Sequence, residues 1–569
     1  MKRYLKFLKE YKLQCILGPL FKWIEAALEL LVPLVMKDII DTGVAAGDIG
    51  YVLRGGGLML AMGAVGFGCA LFCQRSASIA SQGFGTNVRD ALYRHINTLS
   101  YREIDRVGPS SLVTRVVNDV NQMQSAVAMI IRLVVRAPFI ALCSVVICLV
   151  LDPLIGGIVA ACTVLVGLIL WLIMHKTVPY YTKNQQSLDR LTQIAGENLE
   201  GARVVRAFQS REKERARFDG AAQDMLQNSL RIGRISAWLN PLTFAVVNFG
   251  IAVILFVSGF KVNAGALTDG DIIAIINYMA QILNAMVVIS NLVSLFTKAH
   301  AAMGRVSEVF DMRSSLEDGA GAVPDFSAPA LQLEGVSFSY AGTDRYSLRG
   351  VTLTVPAGAT AGIIGGTGSG KSTLVNLFPR LYDAGEGTVR VFGQDVRAYS
   401  LAELRRLFGV VPQRADLFSG TVRSNLQWGG KRATDGELAD ALRVAAADFA
   451  LEGEGLDRPV AEGGKNFSGG QRQRLTIARA VAAHPRILVL DDSCSALDFA
   501  TDARVRANIA ALEGVTTVII SQRASSLHNA DVIFVLEDGK LVGQGRHAEL
   551  YENCLLYREI CDSQARAEA

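Results

Sequence analysis

The sequence predicts a membrane α-helical domain of six transmembrane helices followed by a cytoplasmic α/β P-loop domain. Three observations carry that expectation. Long uncharged apolar runs fill the chain up to residue 300. Strand-like and helix-like stretches alternate beyond residue 330. The segment "GIIGGTGSGKST" lies between one of each. Of the 569 residues 50% are hydrophobic, and the mean hydropathy is +0.30, too apolar for a soluble chain of this length. Net charge is only +4, so charge gives no reason to expect a nucleic-acid partner.

The spans follow from charge-free length. Residues 235–260 and 272–297 contain no Asp, Glu, Lys or Arg, and neither do 154–174 and 55–74. A bilayer needs about 20 helical residues. Residues 137–151 are uncharged but short and need part of "MIIRLVVR", where Arg132 and Arg136 are expected near the cytoplasmic end. Residues 13–36 make the sixth span despite Lys22, Glu25 and Glu29. Segment 175–237 carries eleven Lys or Arg, whereas the links "LDPL" and "KVNAGALTDGD" carry one between them. The basic side stays inside, which puts the N-terminus, the basic loops and the C-terminal half in the cytoplasm of a plasma-membrane protein. "MKRYLKFLKEYK" lacks the apolar core and cleavage site of a secretory signal and reads as a helix on the cytoplasmic membrane surface. Cys15, Cys69, Cys73, Cys143, Cys148 and Cys162 lie in apolar stretches, without metal-ligand spacing, and read as small buried hydrophobes.

Helical spacing in "TNVRDALYRHINTL", "SLVTRVVNDVNQMQSAV" and "LTQIAGENLEGARVVRAF" extends the membrane helices into the cytosol. The membrane domain is therefore placed at residues 1–312, a Gly, Ala and Pro-rich linker at 313–330, and the α/β domain at 331–569.

In the C-terminal half, Gly365, Gly370, Lys371 and Ser372 satisfy G-x-x-x-x-G-K-[ST]. Such a loop curls backbone N–H groups around phosphate. Its Lys reaches the β- and γ-phosphates and its Ser ligates Mg²⁺. Asp491 closes the strand "ILVL", where a magnesium-supporting carboxylate belongs. The turn "FSGGQ" opens a helix and makes a second phosphate-binding device. One nucleotide does not need two such devices from one chain, but two chains facing head to tail would use both.

With these motifs in this order, the chain resembles a half-transporter of the ATP-binding cassette (ABC) family, exporter type, over nearly its whole length. The resemblance implies ATP and Mg²⁺ as ligands. Tyr340 would stack on adenine. Gly365, Gly366, Thr367, Gly368, Ser369, Gly370, Lys371, Ser372 and Thr373 would hold the phosphates. Ser372, Gln413 and Asp491 would handle the magnesium. Ser468, Gly469, Gly470 and Gln471 form the signature, with Phe467 where Leu is usual, and residues 495–498 form the D-loop. "SSLVTRVVNDV" and "ENLEGARVVRAF" resemble the family's cytoplasmic loops, which carry short coupling helices.

Two positions depart from the pattern. The catalytic Glu of the family is Asp492 here, and its switch His is Gln522. An Asp carboxylate ends about 1.5 Å short of a Glu, and a misplacement of about 1 Å can cost roughly 10²-fold in rate. Gln cannot carry the positive charge a His can take on. This chain's own site is therefore expected to bind ATP and hydrolyse it poorly; the alternative is that Asp492 is a tolerated variant with ordinary turnover. The intact signature then implies a second half-transporter that brings the Glu and the His, so that a heterodimer holds one weak and one competent site. The expected activity is ATP-driven export of amphipathic small molecules, lipids or peptides. A non-pumping regulator or channel gated by ATP, or an importer on the same architecture, are the alternatives. Lys22, Glu25 and Glu29 share one face of the first span, either lining a cargo path or pairing structurally.

Overall fold

The computed structural model describes residues 2–340, 343, 345–493 and 497–568. The chain forms two compact units, Met1–Asn97 with Ser110–Asp311, and Thr98–Pro109 with Met312–Ala569.

The first unit is built from six long helices: α1 (Lys12–Asp38), α2 (Ile49–Ile96), α3 (Pro109–Leu151), α4 (Pro153–Glu200), α5 (Arg211–Asn263) and α6 (Asp269–Asp311). Among the described residues, α2 to α6 are long and apolar enough to cross a membrane. The expected first span, α1, has 27 residues, enough for a bilayer, but its charges set it apart from the other five on composition. Large apolar side chains such as Leu60, Phe67, Val150, Phe249 and Phe256 point outward, a surface suited to an apolar surrounding and not to water. The N-terminal segment is helical and packs on the end of α6. Tyr4 is buried there, its hydroxyl 3.1 Å from the Met303 carbonyl and 2.8 Å from Ser307 Oγ.

Helix α1 packs along α2, α3 along α6, and α4 along α5. Between them lies a core of Ala26, Leu30, Ile140, Ile155, Val159, Ile254, Ile275 and Tyr278. Tyr278 donates its hydroxyl hydrogen to the Leu30 carbonyl at 2.6 Å, so even this buried phenol is satisfied. The tight link from α3 to α4 depends on Asp152. Its carboxylate accepts from the N–H groups of Leu154 and Ile155 and pairs with Lys261 of α5. A Cβ on Gly156 would meet the Leu149 backbone at 2.4 Å, which explains the small residue after the turn.

The charges of the first span find partners inside the unit. Lys22 donates to both carboxylate oxygens of Glu25, at 2.7 and 2.8 Å. Arg136 of α3 donates to Glu29 at 2.7 Å. Arg132 reaches Ser78 of α2 at 3.4 Å.

The second unit holds two sheets. Strands β1 (Leu331–Phe338), β2 (Leu348–Val355), β4 (Glu386–Val391) and β5 (Gln394–Asp395) form an antiparallel sheet in the order β2-β1-β4-β5. The larger sheet runs β12-β11-β3-β10-β9-β6. It comprises β3 (Thr360–Gly365), β6 (Phe408–Val411), β9 (Ile487–Asp491), β10 (Thr516–Ile520), β11 (Val532–Glu537) and β12 (Lys540–Gly545). Strands β3, β6, β9, β10 and β11 are parallel, and β12 is an antiparallel edge. A two-residue pair, β7 (Gly420–Thr421) with β8 (Pro459–Val460), completes the set. Every residue of β9 and β10 is buried, because helices or the second sheet cover both faces.

The short helix Tyr101–Val107 belongs to this second unit. It is stopped by Gly108 at φ 84 and by Pro109. Its Asp105 accepts the Tyr382 hydroxyl hydrogen, and Tyr101 lies 6.1 Å from the Tyr382 ring. The sequence motif "SSLVTRVVNDV" falls downstream of it, in the start of α3, and the separate helix ends three residues before the motif begins. The second short helix, Ala202–Ala207, does lie inside "ENLEGARVVRAF".

Asp119 of α3 is 3% exposed and accepts two bonds from Arg305 of α6, at 2.8 and 2.5 Å. The Arg305 side chain is half exposed, so removing Arg305 is the change that leaves a buried charge unpaired, at a cost of about 3 kcal/mol. Arg305→Ala is therefore expected to lower the melting temperature of the detergent-solubilised protein clearly. Arg94→Ala, which breaks the exposed pair with Asp90, should leave it unchanged.

Candidate nucleotide site

Parallel pairing delivers the site. In the order β3-β10-β9-β6, the carboxyl ends of neighbouring strands open at one edge, and ligands of such sheets bind there. Strand β3 ends at Gly365 and runs into the P-loop. Strand β10 ends at Ile520, two residues before Gln522. Strand β9 ends at Asp491, paired with Ile520, and β6 ends two residues before Gln413. One cavity of about 640 Å³ gathers Tyr340, Lys371, Ser372, Thr373, Gln413, Asp491, Asp492 and Gln522. Thr367, Gly368, Ser369 and Gly370 line it as well.

The loop conformation requires glycine. Gly368 and Gly370 have φ of 83 and 98, and a Cβ on Gly370 would also meet the Ser347 carbonyl at 2.7 Å. The loop wraps the Lys371 ammonium, which donates to the carbonyls of Gly365 and Gly366 at 2.7 Å each. Burial pushes the Lys371 pKa down, and the Asp492 and Asp491 carboxylates oppose that shift. Helix α7 (Lys371–Leu377) follows, so its free N–H groups face the same cavity.

Asp491 is buried and hydrogen-bonded to the Ser372 side chain. Burial holds its carboxyl above the usual range, with the Ser372 bond working the other way. Asp492 lies in the left-handed region at φ 47, a conformation that short polar residues tolerate best. Its pKa is also raised, by burial first; Gln413, Lys371 and Arg523 pull it back. Gln413 Nε2 lies 3.5 Å from Asp492 Oδ2. The Ser372 hydroxyl, the Asp491 carboxylate and the Gln413 amide are oxygen donors at one end of the cavity. That donor set suits a hard cation such as Mg²⁺. When bound there, the ion would neutralise charge on the terminal phosphates.

At the other end, Tyr340 packs edge-to-face on Phe338 and Tyr382, with ring centroids 5.0 and 5.4 Å away. Its hydroxyl lies 3.3 Å from Thr373 Oγ1. A planar base has a fixed aromatic platform here.

The signature residues stand apart from this cavity. Ser468 N-caps helix α8 (Gly469–Val481): its Oγ accepts from the Gln471 N–H, and Gln471 Oε1 accepts from the Ser468 N–H at 2.9 Å. Phe467 is buried in the core against Phe449, which accounts for a bulky residue at that place. Within the D-loop, Ser495 and Ala496 lie outside the described residues.

Sequence reasoning missed several cavity residues. Arg345, Tyr346 and Ser347 lead into β2. Asp538 and Gly539 form the turn between β11 and β12. The Gly539 N–H donates to the Ser369 carbonyl at 3.2 Å, so that turn props the P-loop. The Asp-Gly pair was a readable turn signal, but its proximity to the P-loop depends on the order of the strands.

Comparison with known proteins agrees with this construction. The ABC transporter transmembrane region matches residues 15–286, and the ABC transporter family matches residues 348–495. An uncharacterised ABC transporter ATP-binding protein of Mycobacterium tuberculosis is 36% identical over 94% of this chain and 93% of its own length. The YfiB ABC transporter ATP-binding protein of Bacillus subtilis is 33% identical, covering 99% of this chain and 98% of itself. An ATP-dependent lipid A-core flippase of Chromobacterium violaceum is 31% identical over 98% of this chain and 96% of its own length. Among solved structures, a bacterial Atm1-family ABC exporter with ATP bound shares the fold, with a TM-score of 0.81 at 24% identity over 99% of both chains. With its helical membrane domain, its P-loop domain and relatives matched from end to end, this chain belongs to the ABC transporter family, as an exporter-type half-transporter whose C-terminal domain is an ABC ATPase.

Proposed function

We propose that the chain is one half of a heterodimeric ATP-driven exporter in the plasma membrane, with its nucleotide-binding domain in the cytoplasm. Its own P-loop site binds Mg²⁺-ATP and turns it over slowly. One observation carries this reading: Asp492 and Gln522, the two departures from the family pattern, line the same cavity as the P-loop, while the intact Ser468 turn stands outside it. Both weakened groups therefore act on one nucleotide, and the intact device is left for another.

In this reading Tyr340 stacks on the base, Gly365 to Thr373 cradle the phosphates, and Lys371 stabilises their charge. Ser372, Gln413 and Asp491 hold the ion. Asp492 orients water from one carbon too far, and Gln522 hydrogen-bonds the terminal phosphate without adding charge. Ser468 to Gln471 complete the site of a partner half-transporter that supplies Glu and His. ATP-driven approach of the two ATPase domains, read by the coupling helices, turns a path through residues 1–312 outward. The cargo is amphipathic: a small molecule, lipid or peptide. The lipid A-core flippases among the relatives support a lipid-like cargo class. Six spans, α1 included, complete the membrane domain.

Three outcomes follow. The purified chain alone should show low ATP turnover, and Asp492→Glu should raise it by about tenfold or more, since restoring reach recovers part of a roughly 10²-fold loss; robust turnover abolished by Asp492→Asn would sink the proposal. In the co-expressed pair, Ser468→Arg should abolish most turnover, whereas Asp492→Asn should leave most of it, as read in a phosphate-release assay. Glu29 is proposed to line the cargo path together with its Arg136 partner. Glu29→Gln should then alter ATP-dependent uptake of cationic amphiphiles into inside-out vesicles; identical uptake would assign the pair to structure alone.

A further inference from the structure

The loop that carries Gln522 is held from an unexpected direction. It leaves β10 with the Ser521 N–H bonded to the Ile363 carbonyl at 3.1 Å, and the Arg523 N–H bonded to Ser521 Oγ at 2.9 Å. The next two contacts come from the last helix, Leu555–Glu568. Gln564 Nε2 donates to the Gln522 carbonyl at 2.6 Å, and Gln564 Oε1 accepts from the Ala524 N–H at 2.8 Å. One side-chain amide thus serves both a carbonyl and an N–H, two residues apart. The chemistry sets its orientation, since a flipped amide would put oxygen against oxygen and N–H against N–H.

That helix is a firm anchor. Tyr557 is fully buried and its hydroxyl lies 2.8 Å from His547 Nδ1, while Ile560 and Cys561 pack against the main core. The Arg523 guanidinium lies over the Phe499 ring at 5.3 Å, pinning the middle of the loop from the opposite element. Gln522, between these fixed points, points into the nucleotide cavity.

We propose that Gln564 is a positioning residue for the switch loop: its amide fixes the backbone at Gln522 and Ala524, so that the Gln522 side chain stays at the phosphate end of the cavity, and nucleotide turnover depends on the docked C-terminal helix. This rests on the reading of Gln522 as the residue that faces the terminal phosphate. The tether touches no part of the P-loop or of Tyr340, so it acts on turnover and not on ATP affinity.

The test uses the full-length chain purified without its proposed partner and placed in nanodiscs, so that its own slow site is the one whose turnover is read, with Gln564→Leu, Gln564→Glu and, separately, Gln522→Ala. Loss of one hydrogen bond should speed amide exchange at Ala524 by about fivefold in Gln564→Leu. In Gln564→Glu, which keeps the acceptor, Ala524 should stay protected. Both Gln564 variants should lower kcat for ATP severalfold with KM and melting temperature unchanged. Unchanged exchange at Ala524 in Gln564→Leu, unchanged kcat in either Gln564 variant, or a parallel fall in KM, kcat and melting temperature would each overturn the proposal, the last marking a merely structural helix. Gln522→Ala separates the two layers. If it lowers kcat and Gln564→Leu does not, the tether fails; if Gln564→Leu lowers kcat and Gln522→Ala does not, the assignment of Gln522 fails.

Discussion

The in-register parallel pairing of β3, β10 and β9 is the constraint on which the ATPase domain depends. It sets Ile363, Ile520 and Asp491 side by side at one edge of the sheet, with Gly365 two residues further along β3 where the P-loop begins. Side chains alternate along a strand, so a slip of one residue would turn Asp491 away from the cavity and bury the wrong set of residues. The sheet resists such a slip because β9 and β10 are buried on both faces. At the start of the P-loop the approach is close: a Cβ on Gly365 would meet the Leu536 carbonyl of β11 at 2.2 Å. Sheet packing and phosphate loop are therefore one requirement, met by one glycine.

The membrane unit follows a different rule. Charges at membrane depth are costly unless partnered, and here Lys22 pairs with Glu25 and Arg136 with Glu29; at the helix ends Lys37 pairs with Asp271 and Lys261 with Asp152. Such pairs contribute little net stability, but they make helix register costly to change, because moving one helix strands a charge on another. The Lys37–Asp271 and Arg136–Glu29 pairs both involve α1, the span that composition alone marks least clearly. Of the charges that obscure it as a hydrophobic run, Glu29 ties it to α3, while Lys37 at its end ties it to α6.

How much could be read in advance depended on how local each signal was. The P-loop, Asp491 and the signature turn were legible because glycine spacing and strand-end acids act within a dozen residues. The spans were legible from uncharged length. The short helix Tyr101–Val107 was not picked out, although Gly108 and Pro109 mark its end. The motif downstream of it belongs to a longer helix whose periodicity gave no break. Tyr382, Gly539 and Gln564 were not legible. Each acts through a contact with residues remote in sequence, and for Gln564 the partners are backbone groups whose side chains carry no information about it. Side-chain to main-chain contacts of this kind leave no pattern in a single sequence.

Whether the signature turn serves anything beyond its own helix can be argued from Gly469. The capping box of Ser468 and Gln471 satisfies two N–H groups within the chain and would stabilise the helix with any good helix former in between. Glycine is a poorer helix former than alanine, by about 1 kcal/mol in a helix interior and by less in a first turn. Gly469 does not have a positive φ, and a Cβ built on it would meet nothing within 4 Å. Neither backbone conformation nor packing within this chain therefore explains it. What a bare, exposed first turn does allow is the close approach of a body from outside, with N–H groups and the positive end of the helix dipole turned toward it. Under the proposed pairing with a second half-transporter, an anionic group held by that chain meets this description.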